Sequence, residues 1–271
     1  MVNNIWLNFV ITCVVTDVHL HIPMYIFLSN LSTADAVLTS STLPKLMDVL
    51  LTGKNTISSV ECFTQLCFYL FGLGTEDLLL SFMAYDRYMA ICKPLYYHMI
   101  MRKRYYTLFL TGIWILGFAN ALFFILTIFQ IDICHSKKLP LFCEIKALSR
   151  LLCANTKVNI ILIIETIVIG VFLFILNLTS YSKIISVILR IPSTTGRKKA
   201  FSTCTSHLTV LSMFYGAGMG MYLNSYSQRQ EASELVFSTL FVAMMPMLNP
   251  IIFSLRNSDM KSAIMKIIKL R

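Results

Sequence analysis

YYTLFLTGIWILGFANALFFILTIFQI, residues Tyr105–Ile131, runs for 27 residues without an Asp, Glu, Lys or Arg. As a helix rising 1.5 Å per residue it would reach about 40 Å, more than the roughly 30 Å of hydrocarbon in a bilayer. A soluble helix of that length would carry a polar face beside an apolar stripe, and this stretch has none. Ala200–Leu223 and Leu235–Leu255 are equally free of charge. Four further stretches qualify once isolated ionisable residues are admitted: Val2–Thr16, Tyr25–Leu51 with Asp35, Cys62–Tyr85 with Glu76 and Asp77, and Val158–Ser182 with Glu165. The sequence thus predicts an all-α membrane protein, a seven-transmembrane helix bundle in which residues 1–271 form one domain. The first span is short for a bilayer crossing, and an N-terminal truncation accounts for it better than a signal peptide, since it has neither a basic start nor a small-residue cleavage site.

Composition agrees. Hydrophobic residues make up 56% of the chain and charged ones 13%, against roughly 25% charged in soluble domains. The formal net charge of +10 would fit a nucleic-acid binder only if the cations formed one patch, and they do not. With the N-terminus outside, the inner side holds Arg87, Lys93 and Arg102 to Arg104 after the third span, and Lys183, Arg190 and Arg197 to Lys199 between the fifth and sixth. It also holds Arg256, Lys261, Lys266, Lys269 and Arg271 after the seventh. These are 15 of the 23 Lys and Arg, the bias expected of cytoplasmic loops. The C-terminus then lies in the cytoplasm. Met260, Ile264, Ile267 and Ile268 share one face of a short amphipathic helix on the inner leaflet.

Four of the eight cysteines fall outside under this topology: Cys62 at the start of the third span, and Cys134, Cys143 and Cys153 in the loop between the fourth and fifth. In an oxidising compartment they suggest two disulfides, and three pairings are open. The intramembrane acids Asp35, Glu76, Asp77 and Glu165 should face the bundle interior, as hydrogen-bonded structural groups or, for Asp35 and Glu76, as a hydrated cluster able to hold sodium. The Gly216 and Gly220 spacing would let the sixth span approach a neighbour. Gly72/Gly74 and Gly216/Gly218/Gly220 do not read as phosphate loops, because neither follows a strand and opens a helix. His207 reads as a core or helix-end histidine. Asn249-Pro250 removes a backbone hydrogen bond and should kink the seventh span.

Five strings together resemble the olfactory receptors of the rhodopsin-like G protein-coupled class. They are His21–Ser32 (HIPMYIFLSNLS), Met83–Leu95 (MAYDRYMAICKPL), Ser180-Tyr181, Lys199–Leu208 (KAFSTCTSHL) and Pro246–Asn257 (PMLNPIIFSLRN). The resemblance implies a plasma-membrane receptor, not an enzyme, that needs no cofactor and binds a small volatile odorant within the bundle. It also implies a heterotrimeric stimulatory G protein on the cytoplasmic face and a rise in cyclic AMP. Asp86-Arg87-Tyr88 would form the inner switch, with Tyr181 stabilising the active arrangement, Tyr215 acting as the aromatic switch beneath the odorant, and Asn249-Pro250 as the hinge. The matching pocket positions are Leu70, Leu73, Gly74, Glu165, Thr166, Tyr215, Gly218, Tyr222 and Thr239. The family pattern pairs Cys62 with Cys143 and leaves Cys134 for Cys153. Phe253 stands where the family usually has a tyrosine, the N-terminal tail with its glycosylation sequon is missing, and Pro140 replaces a histidine of a proposed copper site, so no such site is expected. Two other readings are a decayed receptor product and, from a different class, a transporter or channel, which would call for repeats and broken helices.

Overall fold

The computed structural model describes residues 10–17, 20–52, 57–129, 143, 156–223 and 244–256. Among these, helix is the only regular structure, with no strand. The helices are α1 (10–16), α2 (Pro23–Thr52), α3 (Ser59–Cys92), α4 (Pro94–Ile100), α5 (Lys103–Phe129), α6 (Thr156–Leu189), α7 (Thr194–Leu223) and α8 (Met245–Arg256). Each of the seven apolar stretches overlaps one of them, and α4 is the short helix of the loop between the third and fourth. The segment after Arg256, read as amphipathic, lies outside the described residues.

Local chemistry sets the ends of α3. Ser58 is its N-cap: its hydroxyl accepts from Glu61 N (3.2 Å) while its own N–H donates to Glu61 Oε2 (3.0 Å), a reciprocal box that satisfies two otherwise orphaned donors. The Ser58 N–H, then its hydroxyl, hold the exposed Glu61 carboxyl below its ordinary value. At the other end Lys93 leaves the helical region (φ −137°, ψ 57°), as the residue before a proline tends to. Pro94 then opens α4, where its missing N–H costs nothing. α3 runs past the apolar stretch to Cys92, which places Asp86 and Arg87 on the helix beyond that stretch.

α3 is the hub, packed on α2, α5, α6 and α7, while α8 packs on α7 and α2. Its side chains are correspondingly enclosed: Leu66, Leu79, Leu80 and Ala84 have no exposure. The outer helices are the reverse, with Leu108, Ile115 and Phe118 of α5 and Val168, Phe172 and Leu178 of α6 more than half exposed. A continuous apolar surface of that kind is tolerated only where hydrocarbon is the solvent. Ser59–Cys92, Lys103–Phe129 and Ile167–Leu189 are long and apolar enough to cross a membrane. Within α2, Thr39 and Thr42 return their hydroxyls to the carbonyls of Asp35 (2.8 Å) and Leu38 (2.7 Å), which satisfies them without water.

Two glycines set the closest approaches. A Cβ on Gly117 of α5 would run into Thr75 Oγ1, and one on Gly72 would lie 3.1 Å from Leu38 N. Among the described residues no close approach is found at Gly216, where a Cβ would meet nothing within 4 Å. Small residues permit close packing, but the geometry of the neighbour decides where it happens.

Candidate functional site

The polar groups of the bundle lie in four levels along α3. At the outer end, a disulfide joins Cys62 to Cys143. Gln65, one turn inward and 6% exposed, accepts at Oε1 from Cys143 N (3.3 Å), so the loop is tied to α3 by a covalent and a polar link. Sequence reading passed over Gln65, although a glutamine three residues after the bridging cysteine places both on neighbouring helical positions. Cys134 and Cys153 lie outside the described residues.

The second level is a wall of half-buried residues, Leu73, Gly74 and Asp77 on α3 with Tyr215 and Gly218 on α7, topped by the buried Leu70. The Tyr215 hydroxyl donates to Asp77 Oδ1 (2.7 Å) and accepts from Asn177 Nδ2 (3.0 Å). Asn177 Nδ2 also donates to Ser81 Oγ (2.9 Å), and Phe174 meets the Tyr215 ring edge-on with centroids 5.0 Å apart. One connected set therefore ties α3, α6 and α7 together. Asn177 and Ser81 were missed from sequence; a lone amide in an apolar run was the available signal. Of the other pocket positions, Glu165 and Thr166 lie on α6 and Tyr222 on α7, with their side chains outside the described set. Thr239 lies outside the described residues altogether.

The third level joins α2, α3 and α8. Asp35 and Glu76 have no exposure, and Asn249 Nδ2 donates to Asp35 Oδ2 (3.2 Å) and to Glu76 Oε1 (3.1 Å). Among the described residues, Glu76 Oε2 and Asn249 Oδ1 are buried acceptors without a hydrogen bond. Pro250, beside Asn249, lies within α8. Among the described residues no group of three or more His, Cys, Asp or Glu comes together as a metal site.

At the inner level Arg87 Nε and Nη2 both donate to Asp86 Oδ2, while Tyr97 of α4 donates to Asp86 Oδ1 (3.0 Å). Burial, then the adjoining Asp86 carboxylate, raise the Tyr97 phenol above its ordinary value, so it remains a donor across the physiological range. Tyr88 turns to α6, where Lys183 Nζ lies 5.7 Å from its ring centroid. Tyr181 OH and His207 Nδ1 are 2.5 Å apart, and the stacked rings lie beside Phe253, 6.2 Å from His207. His207 is a core histidine as expected, 2% exposed. Phe253 brings no hydroxyl to that cluster.

α3 carries both the half-buried wall it shares with α7 and, further along the same helix, the Asp86–Arg87 ion pair. Comparison with known proteins fits this geometry. The family model described as "Olfactory receptor" matches residues 1–271. The chain is 41% identical to Homo sapiens Olfactory receptor 7C1 over 257 residues, covering 94% of this chain and 80% of that protein. It is 42% identical to Mus musculus Olfactory receptor 1M1 over 263 residues, covering 96% and 83%. Homo sapiens Olfactory receptor 7G2 is also 42% identical, over 262 residues, with 96% and 81% covered. Coverage from the first residue to the last at this identity means that the chain belongs to the olfactory receptor family, multi-pass plasma-membrane proteins built as seven-helix bundles that act as odorant-sensing receptors and not as enzymes.

Proposed function

We propose that residues 1–271 act as one receptor domain in which a volatile odorant, bound between α3, α6 and α7, drives a stimulatory G protein and raises cyclic AMP. The contacts would come from Leu70, Leu73, Gly74, Glu165, Thr166, Tyr215, Gly218, Tyr222 and Thr239, a mostly apolar set with a few polar groups, as small-molecule sites usually are. The observation that carries the reading is the pairing of Arg87 with Asp86 on the same helix that carries Leu70, Leu73 and Gly74. A charge-assisted pair of this kind can be exchanged for another partner when a ligand favours a second state. Tyr215, bonded to Asp77 and Asn177, would pass the ligand's effect to α7, and Tyr181 with His207 would receive Arg87 once α7 swings outward. Glu76 Oε2 and Asn249 Oδ1, buried acceptors with no hydrogen bond among the described residues, lie beside Asp35 and suit a sodium ion stabilising the resting state. A transporter finds no support in the comparisons, which return olfactory receptors.

Arg87→Ala is the decisive variant. At matched surface level, measured by labelling intact cells, agonist-evoked cyclic AMP should fall at least tenfold, the equivalent of about 1.4 kcal/mol of lost coupling. A normal response from Arg87→Ala at the surface would remove Arg87 from the coupling step.

A further inference from the structure

We propose that Asp77 is the polar anchor of the ligand cavity and that the odorants it selects are small volatile amines. This deepens the odorant-receptor reading and rests on it. Asp77 follows Leu73 and Gly74 by one turn on the same face of α3, so a ligand lying along that wall ends at its carboxylate. The adjacent acid behaves differently. Glu76 is fully enclosed and shares Asn249 with Asp35, whereas Asp77 remains half-buried on the side facing α7. Its Oδ1 takes the Tyr215 hydroxyl at 2.7 Å, and among the described residues no other hydrogen bond reaches it. Among the described residues no lysine, arginine or histidine acts on it.

An acid at membrane depth is retained where it pairs with a cation or meets one in a cavity. Asp77 is half-buried and, among the described residues, has no cation beside it. An alkylammonium head would supply it through an N⁺–H···O⁻ bond to Oδ2, the strong class of hydrogen bond. Its chain would lie on Leu70 and Leu73. Gly74 leaves room there, since a Cβ would find only Asn120 Nδ2 at 3.7 Å. The matched alcohol forms a neutral hydrogen bond only, and the matched carboxylate is repelled. Tyr215, fixed on the other oxygen, holds the carboxylate's orientation, so amine binding would act directly on the residue that links α3 to α7.

The probes are n-hexylamine, hexan-1-ol and hexanoate, read as the ligand-induced shift in thermal unfolding of the detergent-solubilised full chain, which needs no G protein. n-Hexylamine should raise the midpoint by about 2–4 °C, with the alcohol needing about tenfold more for the same shift and hexanoate giving none. Asp77→Asn keeps an oxygen for Tyr215 and should bring the amine down to the alcohol's level. Asp77→Ser serves if the amide variant does not fold. The proposal is overturned if amine and alcohol act alike on the unaltered chain, or if both neutral variants keep an amine preference. A cyclic AMP assay separates the two readings. Amine-selective stabilisation with no odorant-evoked cyclic AMP would sink the signalling role and leave Asp77 in place, while cyclic AMP responses to neutral odorants without any amine preference would do the opposite.

Discussion

Asp86 uses both oxygens, one for Arg87 and one for Tyr97 of the following loop helix. A carboxylate held from two sides has one rotamer, and that rotamer presents Oδ2 to the guanidinium. Removing the Tyr97 hydroxyl should therefore loosen the resting pair. A hydrogen bond to a charged group contributes roughly 1.5–3 kcal/mol when enclosed, and since Tyr97 is half-buried we expect the lower end. Tyr97→Phe should raise ligand-independent cyclic AMP about three- to tenfold at matched surface level, and unchanged basal signalling would dissociate Tyr97 from the switch. Asp86-Arg87-Tyr88 could be read from sequence because its residues are adjacent. Tyr97 could not, because its contact with Asp86, 11 residues away, exists only once Lys93 and Pro94 break the helix and turn α4 back. The Tyr215 contacts were hidden in the same way: the aromatic was legible, but its partners Asp77 and Asn177 sit on two other helices.

Helix pairs are held by a few close points, and the tightest lies between α3 and α5, where Gly117 faces Thr75. Thr75 Oγ1 is buried without a conventional partner, and its place is defined by the missing side chain opposite. Any Cβ at Gly117 must push α5 away from the hub. Gly117→Val should thus cost about 1–3 kcal/mol as overpacking and lower the Tm of the detergent-solubilised chain by several degrees. Gly112→Val on the same helix is the control, because a Cβ there meets nothing within 4 Å and valine is tolerated in a lipid-facing helix. Equal effects of the two substitutions would show that the Thr75 contact does not set the spacing. Sequence indicated that small residues mattered but picked Gly216 and Gly220, whose spacing is regular. Gly117 has no such pattern, and its importance comes from lying opposite Thr75, which only the packed pair of helices reveals.

At the scale of the whole molecule, the seven spans were legible because lipid imposes a one-dimensional rule: every crossing needs a long run without charge, whatever its neighbours are. Their ends were less legible. α3 continues to Cys92, beyond the apolar stretch, because a helix that leaves hydrocarbon needs a reason to stop and finds one only at Pro94. We propose that charge sets the direction in which the bundle threads the membrane. Arg102, Lys103 and Arg104 flank the start of α5, and Arg190, Arg197 and Lys198 flank the turn between α6 and α7. Cations on short loops stay on the cytoplasmic side during insertion. The capping box at Ser58 and the Cys62–Cys143 disulfide mark the opposite face, since a disulfide persists where the compartment is oxidising. An epitope fused to Met1 should accordingly bind antibody on intact cells, and one fused after Arg271 only after permeabilisation. Replacing Arg102, Lys103 and Arg104 together by glutamine should weaken that asymmetry and give a fraction of chains with mixed labelling. Labelling of the C-terminal epitope on intact cells expressing the unaltered chain would reverse the bundle, placing Arg87 on the outer face, where no G protein could meet it.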